Sequence, residues 1–426
     1  MPLGLFLYKI LTRLIAPFLG AFFRRRAKSG KEDASRIHER FAKYIEPRTT
    51  EKLIWFHAAS VGESQLLLEL ARRLINEGIK DATFLFTCQT QTAAGLITKT
   101  LKDDPHFSGV TTAQKMAPVD TKTATRLFLD HWQPDLTIFA EGEIWPNQLL
   151  ALEARDIPAV LVNARMTEKS TLGWLRWKKT AEAVFSTYDL LIAADVQTKT
   201  GLEALSGKPV INPGNLKSAL PAPSVDEDTY QTLLSAVGAQ DVFLAASTHA
   251  GEEALIIDAF PKLEPRPLLI IAPRHPERGD EVDALLSCTK LRVSRWSETR
   301  SIPHGTDVLL ADTMGEMGLW YRLANSVYLG GGHAPGVGGH NPLEALRLGK
   351  PILTGPSLFN FSDLTKRLQQ RGGFTIVEDA EALIAAYPPA PVSEAMKEAL
   401  ETDAKGPMAA TLTAIDPILQ RVGLKV

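Results

Sequence analysis

The fold is decided by the stretch LIWFHAASVGESQLLLELARRL, residues 53–74, in which an apolar run, a glycine turn and an amphipathic pattern follow one another. The run Leu53–Phe56 predicts a buried strand, and the spacing of the leucines predicts a helix over Ser64–Asn76. A glycine between a strand and a helix is typical of a loop that binds phosphate. Here, however, the residue after Gly62 is Glu63, whose negative charge would repel a phosphate group, so this carboxylate needs an explanation of its own.

A second stretch, LAASTHAGEEALIIDAFPKL at residues 244–263, repeats the order of strand, Ala-Ala-Ser, glycine, acid and helix. The apolar runs that we interpret as further strands are residues 83–87, 136–140, 159–163 and 190–193 in the first half, and 242–246, 268–272, 308–310, 326–329 and 351–353 in the second. Helical patterns separate these runs, which predicts parallel sheets with helices on both faces. The repeated unit predicts an α/β fold of two Rossmann-like domains with a cleft between them.

The domain limits follow from a change in composition near residues 213–225, where proline, glycine and serine are frequent and a linker is predicted. We assign residues 1–45 to an N-terminal segment, residues 46–215 to the first Rossmann-like domain and residues 216–426 to the second. The chain from about Ser393 has a helical pattern. The sequence leaves open whether this last helix packs back on the first domain.

The composition excludes several classes of protein. The chain has 426 residues, 45% of them hydrophobic, and a formal net charge of −2, unlike the strongly basic balance of a general nucleic-acid binder. Cys88 and Cys288 lie far apart and lack metal-ligand spacing, so we expect no structural disulfide and a reducing compartment. Asp226 and Asp228 match a D-x-D metal motif, but acids also suit the first turn of a helix, and we expect no metal.

The first 50 residues differ from the rest in charge, since eleven bases and four acids give about +7 and leave about −9 for the remainder. Residues 4–23 form an apolar stretch that, at ~1.5 Å per residue, is long enough to cross a bilayer. We favour a helix lying in the membrane interface, with bases toward anionic headgroups. The alternatives are a true span, a helix packed on the protein's own core, and a cleaved signal peptide, which Lys9 and Arg13 disfavour. In either membrane arrangement, Arg24–Arg26 place the following chain on the cytoplasmic side.

The glycine-rich segment YLGGGHAPGVGGHNPLEALRLGKPILTGP begins with a predicted strand that ends at Gly330–Gly332. A second glycine pair precedes a helix that we predict to begin near Asn341, with that residue as its N-cap and Pro342 at its first position. Backbone amides at this N-terminus would hold a phosphate, and Glu344 would accept hydrogen bonds from ribose hydroxyls. The alternative is a glycine-rich loop with an ordinary capping carboxylate.

Other loops at predicted strand ends carry charged side chains. Arg274 follows a buried-type strand and would meet a phosphate or carboxylate, unless it is a plain surface arginine. Residues 315–317, Gly-Glu-Met, form a loop that would contact a nucleobase or simply enter a helix. Glu141 and Glu143 follow another strand and either share a face or diverge at a turn. Lys217 lies near the domain boundary, where it either faces a cleft or is a solvated linker residue.

Together the motifs FHAASVGE, EGEIWPN, VLVNARMTEKS, PGNLK, AASTHAGEE, APRHPER, DTMGEMGLWY and GGHNPLEALRLGKPILTGP occur in the order found in the 3-deoxy-D-manno-octulosonic acid (Kdo) transferases, and the chain resembles that family over nearly its whole length. The resemblance implies a GT-B fold, with an N-terminal acceptor domain and a C-terminal domain for the CMP-sugar donor. It implies inverting transfer of Kdo from CMP-Kdo to a lipid A precursor, lipid IVA, in lipopolysaccharide core biosynthesis. It also implies no metal or cofactor, and a place on the cytoplasmic side of the inner membrane of a Gram-negative bacterium.

The resemblance also implies roles for individual residues. Glu63 matches the family's catalytic base, and Glu141 and Lys217 match positions that stabilise the transition state. The residues that match or flank the CMP-Kdo-binding segments are Pro273, Arg274, Gly315, Glu316, Met317, Gly338, Gly339, His340, Asn341, Pro342, Leu343 and Glu344. The chain departs from the family in having Gly142 where threonine or arginine is frequent, and Ala345 where proline is frequent.

Two other functions are compatible with these patterns. One is a different GT-B enzyme, such as another nucleotide-sugar transferase or an epimerase, and the other is a non-catalytic scaffold at the membrane periphery. Glu63 itself has a structural alternative, because Ser60 and Glu63 have the spacing of a helix capping box. The two roles are compatible, since a helix N-terminus favours the charged carboxylate that a base requires.

Overall fold

The structure, a computed structural model, describes residues 1–44, 52–220 and 225–424, and it divides the chain into two compact units. Unit 1 comprises Met1–Leu220 together with Asp403–Val426, and unit 2 comprises Pro221–Thr402. The predicted start of the first domain at residue 46 and residues 221–224 of the predicted linker lie outside the described residues.

Unit 1 contains a sheet of six parallel strands, in the spatial order β3-β2-β1-β4-β5-β6. These strands are β1 (Lys52–Ala58), β2 (Ala82–Cys88), β3 (Thr112–Met116), β4 (Leu136–Ala140), β5 (Ala159–Ala164) and β6 (Leu190–Ala193). The order is that of a Rossmann domain. The sequence predicted all of these strands except β3, which lies at an edge and has the mixed composition of a half-exposed strand.

The helices of unit 1 cover both faces of this sheet, because each buried strand presents apolar side chains on both sides. The helices are α1 (Leu3–Lys28), α2 (Ile37–Arg40), α3 (Val61–Asn76), α4 (Gln91–Asp103), α5 (Lys122–Trp132), α6 (Pro146–Glu153), α7 (Glu168–Leu175), α8 (Lys178–Phe185) and α9 (Val196–Ser206). In β1, Ile54 and Phe56 join the core with α3, whereas Leu53 and Trp55 join the core with α5 and α8. Helix α3 begins at Val61, earlier than the predicted start at Ser64.

Unit 2 contains a sheet of seven parallel strands, in the order β13-β12-β11-β7-β8-β10-β9. The strands are β7 (Val242–Thr248), β8 (Leu268–Pro273), β9 (Val293–Arg295), β10 (Val308–Leu310), β11 (Ser326–Leu329), β12 (Ile352–Thr354) and β13 (Phe374–Ile376). The two strands that the sequence did not predict, β9 and β13, lie at the two edges and have three residues each. The predicted α/β class, with one parallel sheet in each half, is confirmed.

The helices of unit 2 are α10 (Glu227–Val237), α11 (Glu252–Ala259), α12 (Gly279–Ser287), α13 (Trp296–Thr299), α14 (Met317–Leu323), α15 (Leu343–Arg347), α16 (Ser362–Gln369) and α17 (Ala380–Ala385). The last helix, α18 (Glu394–Arg421), contributes to both cores. Its early residues Met396 and Leu400 are buried in unit 2, whereas Ile415 and Leu419 are buried in unit 1 beside β1 and α3.

Helix α1 is long and apolar enough to cross a membrane, by length and composition alone, with a mean hydropathy of 1.5 over its most apolar window and only 6% of that window buried. Its one fully buried residue is Leu5. The first half of the helix is nevertheless joined to unit 1, because the hydroxyl of Tyr8 donates to Asp120 Oδ2 at 2.6 Å and the side-chain Nδ2 of Asn147 donates to Thr12 Oγ1 at 3.3 Å.

Arg40, from the basic N-terminal segment, is buried inside unit 1. Its guanidinium forms an ion pair with Glu32 at 2.9 Å and donates to the backbone carbonyls of Gln89 and Ala117, which follow β2 and β3. A buried arginine is tolerated only when its donors are satisfied in this way. This part of the N-terminal segment is therefore a structural member of unit 1.

Candidate active site

Glu63 lies at the carboxyl end of β1, in the first turn of α3. Ser60 is the N-cap of this helix, and its hydroxyl accepts from the amide of Glu63 at 3.3 Å and lies 3.0 Å from Glu63 Oε1. The other carboxylate oxygen accepts from the backbone amide of Ala59 at 2.6 Å. The capping role that the sequence predicted is therefore present, with Ala59 as the amide that the carboxylate satisfies.

The surroundings of Glu63 raise the pKa of its carboxyl group above the usual range. Burial is the largest cause, and the negative charges of Glu143 and Glu141 act in the same direction. Hydrogen bonds from the Ala59 amide and the Ser60 hydroxyl lower the pKa but do not outweigh these effects. The position near a helix N-terminus, which by itself favours the charged form, is thus not the dominant influence. A carboxylate with a raised pKa is a stronger base once it is ionised.

Glu141 and Lys217 meet beside this turn, although they are far apart in the sequence. Lys217 Nζ lies 2.6 Å from Glu141 Oε1, and both side chains are largely buried. The same ammonium group lies close to Gly62, since a Cβ atom placed on this glycine would be 3.5 Å from Nζ. The structure therefore brings together the three residues that were predicted to be catalytic. A side chain at position 62 would therefore lie in van der Waals contact with Lys217.

Glu143 diverges from Glu141 and points into the protein. Its carboxylate lies 2.8 Å from His57 Nε2 and accepts from Trp145 Nε1 at 2.7 Å. Burial acts to raise the pKa of Glu143, but the hydrogen bond and charge of His57 and the indole hydrogen bond outweigh it, so the pKa lies below the usual range. His57 was not among the predicted site residues. Its polar ring within the apolar run of β1 was a signal that it has a buried partner. Of the two alternatives for these acids, the structure shows divergence.

The glycine-rich loop of unit 2 is packed closely against its own sheet. A Cβ atom on Gly330 would lie 2.4 Å from the carbonyl oxygen of Ser247, and one on Gly332 would lie 2.6 Å from the amide of Gly355. Gly338 and Gly339 have φ of +78° and +80°, and their Cβ directions meet Phe359 and Leu358. A side chain at any of these four glycines would collide with neighbouring atoms of the protein, so their lack of one is needed for packing of the loop.

The helix after this loop begins later than predicted. Helix α15 starts at Leu343, with Pro342 as the residue before it, and Asn341 Oδ1 accepts from the amide of Leu343 at 3.2 Å. The predicted N-cap at Asn341 is therefore wrong by one residue, although its side chain does satisfy an amide at the helix start. Glu344 is half-buried in the first turn of α15.

Glu252, the acid in the second Ala-Ala-Ser stretch, is fully buried and holds the glycine-rich loop. Its Oε2 accepts from the amides of His249 at 2.9 Å and Gly331 at 2.8 Å. Its Oε1 accepts from the amide of His333 at 3.0 Å and the hydroxyl of Tyr328 at 3.2 Å. The two repeats therefore use their acids differently, since Glu63 has two local contacts and Glu252 has four that join separate segments.

The predicted donor-site residues follow the carboxyl ends of three strands of one sheet, β8, β10 and β11, and this is the edge at which parallel sheets bind ligands. Pro273 ends β8, and Arg274 after it is exposed and forms no ion pair within residues 1–44, 52–220 and 225–424. His340 Nε2 lies 2.8 Å from His249 Nε2. Burial, followed by the charges of His249 and Arg274, lowers the pKa of His340 to about 4, so this imidazole is neutral at pH 7.

The loop at residues 315–317 leads into α14, which begins at Met317. Glu316 is engaged with the protein, because its carboxylate accepts from Trp296 Nε1 at 2.8 Å and pairs with Arg300 at 2.7 Å. The side chain of Glu316 is therefore occupied by contacts within the protein. Among the described residues, no group of three or more His, Cys, Asp or Glu side chains is arranged to hold a metal ion. Asp226 caps α10 instead.

Comparison with known proteins identifies the family. A family model described as 3-Deoxy-D-manno-octulosonic-acid transferase (kdotransferase) matches residues 35–220. The Kdo transferase of Rickettsia bellii (strain RML369-C) is 32% identical over 384 residues, which cover 89% of this chain and 88% of that protein. The chain belongs to the Kdo transferase family. The Kdo transferase of Bordetella pertussis is a further relative, 30% identical over 90% of each chain.

As a Kdo transferase, the protein is a glycosyltransferase, and solved structures agree on its fold. A glycosyltransferase from Rickettsia africae ESF-5 matches with a TM-score of 0.56 at 13% identity, covering 87% of this chain and 100% of the other. The UDP-GlcNAc 2-epimerase of Neisseria meningitidis matches with a TM-score of 0.52 at 15% identity, covering 87% and 99%. These likenesses confirm the GT-B fold. The non-catalytic alternative is not supported, because the relatives named Kdo transferases match nearly the whole chain.

Proposed function

We propose that this Kdo transferase moves Kdo from CMP-Kdo to a lipid A precursor with inversion at the anomeric carbon, and that Glu63 is the general base. The observation that carries the proposal is the cluster of Glu63, Glu141 and Lys217 at the carboxyl end of the unit 1 sheet. An inverting transfer needs a base for the acceptor hydroxyl and positive charge against the anionic groups of the donor. In this cluster, Glu63 is the candidate base and Lys217 is the positive charge.

Glu63 has the properties that a base requires. Its two oxygens are held by Ala59 and Ser60, so the carboxylate is fixed in direction, and its raised pKa increases its affinity for a proton. In the proposed step the acceptor hydroxyl attacks the anomeric carbon, its proton passes to Glu63, and the bond from that carbon to the CMP phosphate breaks. The electrons of the broken bond leave with CMP, so charge and atoms balance.

Lys217 supplies the positive charge beside this base. Kdo is itself an acid, so the donor sugar carries a carboxylate in addition to the phosphate of CMP. Glu141 holds the lysine ammonium by an ion pair at 2.6 Å, which fixes its place beside Glu63. Such fixed charges stabilise a transition state more than mobile ones do, because they need no reorganisation during the reaction.

For the donor, we propose that CMP binds to unit 2 at Arg274, the loop at residues 315–317 and the segment from Gly338 to Glu344. Arg274 is an exposed cation that forms no ion pair in the described parts of the chain, so it is available for a phosphate. These segments follow strands β8, β10 and β11 of one parallel sheet at their carboxyl ends, as nucleotide sites in such sheets do. No metal is part of the proposal.

The donor site gives a prediction for Glu252. The Glu252→Gln variant should bind CMP about tenfold more weakly, because an amide cannot accept all four hydrogen bonds and losing one to a charged group costs about 1.5–3 kcal/mol. Isothermal titration with CMP measures the change. Glu253→Gln is the matched control, since Glu253 is equally buried but pairs with Arg278 and Thr248 rather than the loop. Equal Kd values for the two variants would contradict the role of Glu252.

For the acceptor, we propose a lipid held at the cytoplasmic side of the inner membrane. A groove of about 810 Å³ runs between α1 and the helices α7 and α8, and its lining is mainly apolar, including Leu7, Leu11, Leu14, Trp174 and Trp177. Apolar residues on α1 outside the groove are exposed to the surroundings. A groove that continues into the apolar surface of a membrane helix suits an acyl chain. The bases at 24–26 suit anionic lipid headgroups.

The groove gives a second prediction. The Trp177→Ala variant should raise the KM for the lipid acceptor about tenfold while leaving the KM for CMP-Kdo unchanged, because losing this aromatic contact removes about 1.5 kcal/mol of apolar burial from the lipid. Steady-state kinetics with each substrate varied in turn measure the two constants. Leu172→Ala is the control, since Leu172 is exposed on α7 but does not line the groove. An unchanged KM for the acceptor in Trp177→Ala would exclude the groove as the acyl site.

The reaction itself is tested by incubating the protein with CMP-Kdo and a lipid A precursor and determining the mass of the lipid product. A mass increase of one or more Kdo units supports the proposal, and the increase also gives the number of units added. Titration with CMP-Kdo and with UDP-sugars separates the proposed donor from those of other GT-B enzymes. Binding of UDP-sugars alone would overturn the donor assignment.

A further inference from the structure

Asn163 is a buried residue near the end of β5, in the motif VLVNARMTEKS. Its backbone is left-handed, with φ of 51°. Asparagine tolerates this conformation better than most other residues. The register of β5 against β6 shifts between Leu161 and Ala164, so the strand is irregular at this place.

The side chain of Asn163 joins Glu141 to the segment that carries Lys217. Its Nδ2 donates to Glu141 Oε1 at 3.1 Å, and its Oδ1 accepts from the amide of Leu216, the residue before Lys217, at 2.8 Å. These two contacts define which way the amide group faces, because a backbone N–H needs an acceptor and a carboxylate needs a donor. A single side chain thus donates a hydrogen bond to Glu141 and accepts one from the segment that carries Lys217.

Glu141 needs such support because its own backbone is left-handed, with φ of 55°, which is uncommon for glutamate. Its Oε1 receives both Lys217 Nζ at 2.6 Å and Asn163 Nδ2 at 3.1 Å. Lys217 lies in a short 3₁₀ turn, Leu216–Ala219, whose start is held by the Asn163 contact and by Asn215 Oδ1, which accepts from the amide of Lys217 at 3.0 Å.

We propose that Asn163 is a positioning residue for Kdo transfer, which places Glu141 and Lys217 against each other beside Glu63. The inference rests on the proposed function of these three residues. Asn163 itself is buried behind the ion pair, so it acts through Glu141 and Lys217 and not on the substrates. Its loss therefore lowers kcat and leaves the KM for CMP-Kdo and for the lipid acceptor unchanged.

The Asn163→Asp variant tests this role. It keeps an acceptor for Leu216 and tolerates the left-handed backbone, but it turns an oxygen toward Glu141 in place of the donor. We expect kcat to fall about 10- to 100-fold, with both KM values unchanged. Val160→Ala, in the core of the same strand, is the control for stability, and it should lower the thermal midpoint without lowering kcat. Equal losses of kcat in the two variants would show a merely structural role.

A double-mutant cycle with Glu141→Gln separates action through Glu141 from other effects. In that background the glutamine amide can donate to Asp at position 163, so Asn163→Asp should cost much less in kcat than it does in the wild type. An equal cost in both backgrounds would overturn the proposal.

A crystal structure of Asn163→Asp provides a test that does not depend on activity. We expect Glu141 and Lys217 to be separated beyond the ion-pair distance of about 4 Å. An unchanged pair would overturn the positioning role even if the wild type proves to use another substrate. Conversely, a separated pair in a protein that does not transfer Kdo would support the positioning role and overturn the proposed function.

Discussion

Glu63→Gln is expected to lose Kdo transfer by about 100- to 10,000-fold, the usual contribution of a general base, while CMP-Kdo binds with unchanged affinity. Glutamine has the same shape and can still accept from the Ala59 amide and contact the Ser60 hydroxyl, so the start of α3 should be preserved. What it cannot do is take the proton of the acceptor hydroxyl. Single-turnover transfer of labelled Kdo measures the rate, and titration with CMP-Kdo measures donor binding.

Glu69→Gln is the matched control, because Glu69 lies in the same helix, is equally buried, and forms ion pairs with Arg72 and Arg73 away from the cluster. This variant should lose stability but keep its rate of transfer. Near-wild-type turnover in Glu63→Gln would exclude Glu63 as the base. A similar loss in both variants would attribute the effect to the helix and not to proton transfer.

The pH dependence of the reaction reports the same group. A base works only when it is ionised, so transfer should decline as the pH falls through the pKa of Glu63. Because this pKa is raised above the ordinary value of 4.5, the decline should begin at a higher pH than for an ordinary glutamate. The Glu69→Gln control should keep this acid limb. A rate that stays constant down to about pH 4 would contradict the base assignment.

Lys217→Met is the second variant for which we expect a large effect, a fall in kcat of about 100- to 1,000-fold, as is typical when a fixed charge that stabilises a transition state is removed. Without the ammonium group, Glu141 loses its ion pair and keeps the hydrogen bond from Asn163 Nδ2. Two changes should therefore occur together. The transition state loses its counter-charge. The acid limb of the pH profile, where the rate falls as the pH is lowered, moves to higher pH, because removing a nearby cation raises the pKa of a carboxyl group.

Steady-state kinetics across pH measure both changes, and Lys217→Arg, which keeps the charge but not the shape, should show an intermediate rate. Lys52→Met is the control, since Lys52 lies at the start of β1 and pairs with Asp135 at 3.2 Å, at the amino ends of the strands. Unchanged kcat in Lys217→Met would remove this residue from the catalytic cluster. An acid limb that does not move to higher pH would contradict the action of this charge on Glu63.

Much of the fold followed from local patterns. The apolar runs identified every central strand of both sheets, because a strand buried on both faces must be apolar throughout. The three strands that were missed, β3, β9 and β13, lie at sheet edges, where side chains are partly exposed and the runs are short or mixed. The capping box at Ser60 was also visible, since it depends on residues three apart in the chain.

The site could be predicted only in part. Because parallel strands end at a common edge, the charged residues after predicted strands were candidates, and the family resemblance added roles for Glu63, Glu141 and Lys217, which the structure brings together. The different directions of the Glu141 and Glu143 side chains could not be predicted, because they depend on the left-handed backbone at Glu141 and on His57 from another strand. Glu252 resembled Glu63 in sequence, and only its four contacts show that it holds a loop.

The sequence by itself determined the order of strands and helices, the two repeated units and the residues available for chemistry, because these depend on hydrophobic period and on neighbours along the chain. The tertiary structure alone decided that Lys217 meets Glu141 beside Gly62, that Asn163 joins them, and that the pKa of Glu63 is raised and not lowered. These properties arise from burial and from charges on distant segments, which a linear pattern does not contain.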